Sequence, residues 1–100
     1  MLKHIIAWKL RSDLSDTEKK EAAQRIKEGL EGLRGKIPGM VEIKVHIQPL
    51  STSNTDILLD SVFEDEAALK VYAEHPLHVY VKENITQPAV ESRACFDYTE

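Results

Sequence analysis

The sequence predicts an α+β domain with the element order β-α-β-β-α-α-β. Three observations predict it. Two stretches alternate apolar and polar residues with a period of two, a Ser-x-x-Glu box opens a helical apolar stripe, and a proline at His75-Pro76 splits the second helical region. At 100 residues, with 42% hydrophobic and 30% charged residues, the chain is one globular domain, and collagen-like, low-complexity and wholly disordered classes are excluded.

Leu2 to Arg11 reads as the first strand, with Leu2, His4, Ile6, Trp8 and Leu10 on one face and Lys3, Ile5, Ala7, Lys9 and Arg11 on the other. Ser15 is the expected N-cap of the next helix, closed by Glu18 three residues on. Ala22, Ala23, Ile26, Leu30 and Leu33 form its apolar stripe, and Gly35 is its expected C-terminal cap. Gly29 and Gly32 either permit close packing or mark loose final turns, and the charges from Glu18 to Lys36 read as the solvated side of that helix.

Pro38-Gly39 suits the centre of a type II turn. Met40 to Gln48 alternates cleanly, with Val41, Ile43, Val45 and Ile47 on one face, and Asp56 to Glu64 is the third strand. Asp65 caps a short helix carrying Ala68, Leu69, Tyr72 and Ala73 on one side. A third helix is expected from Pro76 to before Pro88, with His78, Val81 and Ile85 turned inward, and Ser92 to Tyr98 is the last strand. This order is the ferredoxin-like pattern, a four-stranded antiparallel sheet with helices on one face. The uncovered face carries Ile5, Ala7, Leu58 and Val62, so a second copy is expected to pack there as a symmetric homodimer. Only six aromatic residues are available to fill a core, which points the same way.

Thirteen Lys+Arg against seventeen Asp+Glu give a net charge of −4, which opposes nucleic-acid and anionic-membrane partners. No apolar run approaches the roughly 20 residues of a membrane helix. The start Met1-Leu2-Lys3-His4 lacks the pattern of a secretory signal, and the lone Cys95 suits a reducing compartment, so the expected address is cytoplasmic. Without export, the glycosylation triplet Asn84-Ile85-Thr86 is read as chance.

His4 shares an apolar strand face with Ile6, Trp8 and Leu10, and His78 shares a helical stripe with Val81. Each is either a core imidazole bonded to backbone or a polar group projecting into an apolar pocket, and Tyr72 adds a hydroxyl that needs a partner once buried. The expected site has His78 as general base, Tyr72 as donor to a developing oxyanion and His4 orienting or polarising, with Ile6, Trp8 and Val81 against a small apolar ligand. His75 reads as an N-cap, and His46, on the polar face of its strand, as facing the partner subunit. A metal held by His75, His78 and His4 would lack further ligands, because Cys95 is expected on the opposite sheet face; no metal or cofactor is expected. No phosphate loop, catalytic carboxylate pair or serine elbow is present.

The opening Leu2–Leu10, the Ile37-Pro38-Gly39 turn, the string Phe63–His78 with its Tyr-x-x-His-Pro-x-His core, and Phe96-Asp97-Tyr98 together resemble the stress-responsive dimeric α/β-barrel family, across nearly the whole chain. The resemblance implies a homodimer whose two sheets close into a barrel, with a pocket in each subunit between sheet and helices. Two plant members are enzymes, the polyketide cyclase that makes olivetolic acid and a hydroxynitrile lyase. The cyclase matches better, since its strand-one His, its Tyr on the broken helix and its His after the His-Pro pair correspond to His4, Tyr72 and His78. The apolar segments between these motifs do not match visibly, so the resemblance carries no substrate. It implies a lyase or cyclase acting on a carbonyl compound, or a non-catalytic stress-response or ligand-binding protein.

Overall fold

Strand β1 (Leu2–Leu10) runs through the middle of the domain and buries alternate residues, as its sequence requires. The computed structural model describes all residues, Met1–Glu100. Helix α1 (Asp16–Glu31) opens on Ser15, whose side chain accepts from the Glu18 N–H while the Glu18 carboxylate accepts from the Ser15 N–H. The helix stops at Glu31 with Gly32 as its cap, one turn before the expected stop, and Gly35 lies in the following turn. Strands β2 (Met40–His46) and β3 (Ile57–Phe63) follow, then helices α2 (Glu66–Glu74) and α3 (Pro76–Val81). From Val81 the helix widens into a π turn over Lys82–Thr86 and ends in a short 3-10 turn, Gln87–Ala89. Strand β4 (Val90–Thr99) starts two residues earlier than its sequence pattern marks.

The sheet order is β2-β3-β1-β4, fully antiparallel, with the helices on one face: a ferredoxin-like fold. The core lies between sheet and helices and includes Ile6, Ile26, Leu30, Ile43, Leu59 and Phe63. Three details correct the sequence reading. A bulge between Met40 and Glu42 breaks the alternation of β2 and turns Val41 outward, half exposed, while Ile43 and Val45 remain buried. Lys27, Glu31 and Arg34 are not idle solvated charges, because they bond the backbone of the β2 edge. Lys27 Nζ donates to the Val45 carbonyl at 2.7 Å, the Val45 N–H donates to Glu31 at 2.9 Å, and Arg34 donates to the Ile43 carbonyl. Finally, β4 pairs with β1 so that Ile5 faces Phe96 and Lys3 faces Tyr98, which puts Phe96 and Tyr98 on the outer face.

That outer face is uncovered and carries an apolar cluster beside the Lys3–Asp60 ion pair. Phe96 is 68% exposed and its ring lies 5.7 Å from that of Tyr98, tilted against it, beside Ile5, Ala7, Leu58 and Val62. His46 pairs with Leu58 and lies on this same face.

Two glycines set the distance between layers. A Cβ on Gly29 would come within 3.1 Å of Val81, so α1 and α3 meet there closely. Gly39 occupies the turn with φ +81, closed by the Met40 N–H to the Ile37 carbonyl, and a Cβ there would stand 2.5 Å from the Ala68 Cβ. Gly39→Ala therefore combines left-handed strain with a clash against α2. We expect it to cost at least about 2 kcal/mol in urea unfolding; a loss of a few tenths would show that the turn tolerates a side chain.

Candidate active site

His4 reaches the helix side of the sheet because β1 alternates, and its register with β4 sets it opposite Asp97. Its Nδ1 lies 2.5 Å from Asp97 Oδ1, and the imidazole is 8% exposed. A carboxylate only accepts, so Nδ1 carries the proton and Nε2 keeps its lone pair in the neutral ring. The Ser61 hydroxyl, fully buried on β3, donates to the His4 carbonyl at 2.8 Å and pins this stretch of β1 from the other side.

Tyr72 comes from α2, whose start is fixed by Asp65 accepting from the Ala68 N–H. Its ring lies 6.0 Å from His4, 4.9 Å from Phe63 and 4.0 Å from His78. The Tyr72 hydroxyl is buried without a hydrogen-bond partner, and burial pushes its pKa well up, so it is a neutral phenol at physiological pH. An unpartnered buried hydroxyl costs about 1–3 kcal/mol. The Thr86 hydroxyl, in the π turn, is unpartnered too.

His78 is placed by the break at Pro76. His75 caps α3 by accepting from the Leu77 N–H at 3.2 Å, as its position before proline suggests. His78 Nδ1 then faces the Ala73 carbonyl at 3.4 Å, an arrangement that leaves Nε2 as the basic nitrogen. Burial holds the His78 pKa below its ordinary value of 6.5, opposed by the Ala73 carbonyl and assisted by the nearby Lys82 and His4.

These three side chains converge on one cavity of about 500 Å³ between the sheet and the broken helix, a size suited to a small organic molecule. Ile6, Trp8, Leu30, Leu59, Leu69 and Val90 supply its apolar wall. Val81 is not on that wall; it is buried towards Gly29 of α1. The inward face of the helix is His78, Lys82 and Thr86, four residues apart, instead of His78, Val81 and Ile85. The β4 residues Arg93, Cys95 and Asp97 also line the cavity.

Cys95 was expected on the face away from His4, and the strand register corrects this: Cys95 pairs with Ile6, so it shares the cavity face. Donor atoms of His4, Cys95 and Asp97 lie within 4.8 Å of one another. Here His4 and Asp97 are bonded to each other, and partial desolvation together with the adjacent Asp97 carboxylate pushes the Cys95 thiol up, away from the thiolate that metal binding or nucleophilic attack requires. Only the pairing of β1 with β4 could have revealed Asp97, Arg93 and Cys95 as cavity residues.

Because the folded His78 holds its proton less tightly than the unfolded chain, its burial lowers stability as pH falls through 6.5 and costs nothing well above it. His78→Gln should therefore gain stability relative to wild type between about pH 8 and about pH 5, read as the change in urea midpoint. A difference independent of pH would mean the imidazole is not desolvated.

The model of the stress responsive A/B barrel domain family matches residues 2–100. None of the curated proteins matches this chain. Among solved structures, a dimeric protein of unknown function and ferredoxin-like fold from Bacteroides fragilis is 36% identical, with a TM-score of 0.92 over 99% of this chain and 95% of that one. A Dabb family protein from Mesorhizobium loti, 20% identical, superimposes with a TM-score of 0.75 over 99% and 95% of the two chains. The hydroxynitrile lyase from Passiflora edulis, 19% identical, does so with a TM-score of 0.69 over 97% and 90%, a likeness of fold alone. By the match along its whole length, the chain belongs to the stress responsive A/B barrel domain family.

Proposed function

We propose that this protein is a homodimer with a small-molecule cavity in each subunit, in which His78 and Tyr72 perform proton chemistry on an apolar carbonyl compound. The observation that carries the reading is the opposite displacement of two stacked side chains. Burial favours the free base at His78 and the protonated phenol at Tyr72, which is the pairing that abstraction of a proton next to a carbonyl requires. His78 Nε2 takes the proton, the C–H electron pair becomes the C=C bond of the enolate, the carbonyl π pair moves onto oxygen, and the Tyr72 hydroxyl donates to that oxyanion. His4, held by Asp97, orients the carbonyl group. Aldol-type ring closure and retro-aldol cleavage both begin or end at such an enolate. The hydroxynitrile lyase among the structural neighbours is consistent with this, though it shares only the fold.

A second reading rests on the Tyr72 hydroxyl, which has no contact with solvent as well as no partner. If it stays closed off, the tyrosine is a packing element and the protein binds its ligand without turning it over, as a stress-response or ligand-binding protein would.

The test is solvent deuterium exchange at the carbons flanking the carbonyl of benzylacetone, followed by NMR. Wild type should catalyse it with a midpoint below pH 6.5, and His78→Gln and Tyr72→Phe should lower the rate by about 10²-fold or more while remaining folded. Exchange no faster than buffer, with benzylacetone bound, would establish the non-catalytic reading.

The homodimer is supported by the bare apolar outer face and by dimeric neighbours of the same fold. Light scattering should give twice the chain mass for wild type and the monomer mass for Phe96→Glu, which places a charge on the apolar part of that face. A wild-type monomer at micromolar concentration would end the dimer proposal.

A further inference from the structure

The cavity is lined by charged groups, two of each sign, that proton chemistry at His78 does not require. Four charged residues line it: Lys82, Glu91, Arg93 and Asp97. Both acids are already engaged. Glu91 accepts from the Ser12 N–H at 2.6 Å, and Asp97 accepts from His4 and from the Cys95 thiol. Neither cation enters any ion pair of the chain, since these join Lys3–Asp60, His4–Asp97, Arg11–Asp13, Lys27–Glu31 and Arg34–Glu42. In a protein of net charge −4, the cavity therefore holds two cations outside any ion pair, while both of its carboxylates already accept hydrogen bonds.

Their placement is built into the fold. Lys82 is the first residue of the π turn and stands four residues from both His78 and Thr86, on the face that lines the cavity. Arg93 lies on β4 opposite Trp8 of β1. The two cations thus approach from the helix layer and from the sheet, and their fields reach the inner pair: Arg93 acts on Tyr72 and Lys82 on His78. A guanidinium fork and an ammonium lining one cavity suit a carboxylate, which can accept two parallel bonds from the arginine.

We infer that the ligand carries a carboxylate as well as its apolar body and carbonyl group, and that Arg93 and Lys82 hold that carboxylate while the carbonyl lies towards Tyr72 and His78. This deepens the reading of the cavity as a ligand site and rests on it. It narrows the substrate class to apolar keto acids.

β-Benzoylpropionate and its neutral primary amide differ only in charge at one end. Isothermal titration, with fluorescence of Trp8 as a second readout because this sole tryptophan lines the cavity, should show the acid binding about tenfold more tightly than the amide. Arg93→Gln and Lys82→Gln should each shrink that preference, and the double variant should abolish it, whereas Lys20→Gln on the exposed side of α1 should leave it unchanged. Equal binding of acid and amide by wild type would overturn the carboxylate inference and leave the cavity reading standing. Failure of both to bind would overturn the two together.

Discussion

The pairing of β1 with β4, in the register that sets His4 opposite Asp97 and Ile5 opposite Phe96, is the constraint on which the rest of the structure depends. Since side chains alternate across a strand, one register decision assigns every residue of β4 to a face. The inward row becomes Arg93, Cys95 and Asp97, which gives the cavity its polar wall and His4 its carboxylate. The outward row becomes Ala94, Phe96 and Tyr98, which completes the apolar face that the helices leave bare. A slip by one residue would bury Phe96 and Tyr98 against the helices, strip the cavity of its arginine and aspartate, and remove the case for a partner. The two sheet edges differ in the same spirit. Side chains of α1 occupy the backbone groups of β2, while β4 is exposed along nearly its whole length.

Much of this architecture was legible in the sequence, because short-range rules governed it. The alternation of β1, the Ser15–Glu18 box, the Pro38-Gly39 turn and the break at Pro76 each act over a few residues, and each gave the expected element. The family resemblance added the pocket between sheet and helices and directed attention to His4, Tyr72 and His78. What alternation does not carry is which face of β4 looks at the helices. Ala94, Phe96 and Tyr98 are the more apolar row, yet they face outward, and the placement of Cys95 was misread for that reason.

The helix after Pro76 departs from its sequence pattern for a related cause. Val81 and Ile85 are apolar and sit at helical spacing from His78, so they look like the wall of a pocket. They turn instead towards α1, where Gly29 leaves room for them, and the polar stripe of Lys82 and Thr86 faces the cavity. Hydrophobic periodicity identifies the side of a helix that packs against its neighbours, and a ligand cavity is lined partly by the adjacent polar side. The same limit hid the role of Lys27, Glu31 and Arg34, whose bonds to β2 need the tertiary fold before they exist.

The proposed ligand site is the space between β1, β4 and the broken helix. Chemical-shift mapping of the wild-type protein during titration with β-benzoylpropionate tests it most directly, since it reads every position at once. Shifts should concentrate at Ile6, Trp8, Tyr72, His78 and Arg93, with Ile5, Leu58 and Phe96 on the opposite sheet face unmoved. Shifts centred on that outer face, or none at the cavity residues at saturating ligand, would contradict it.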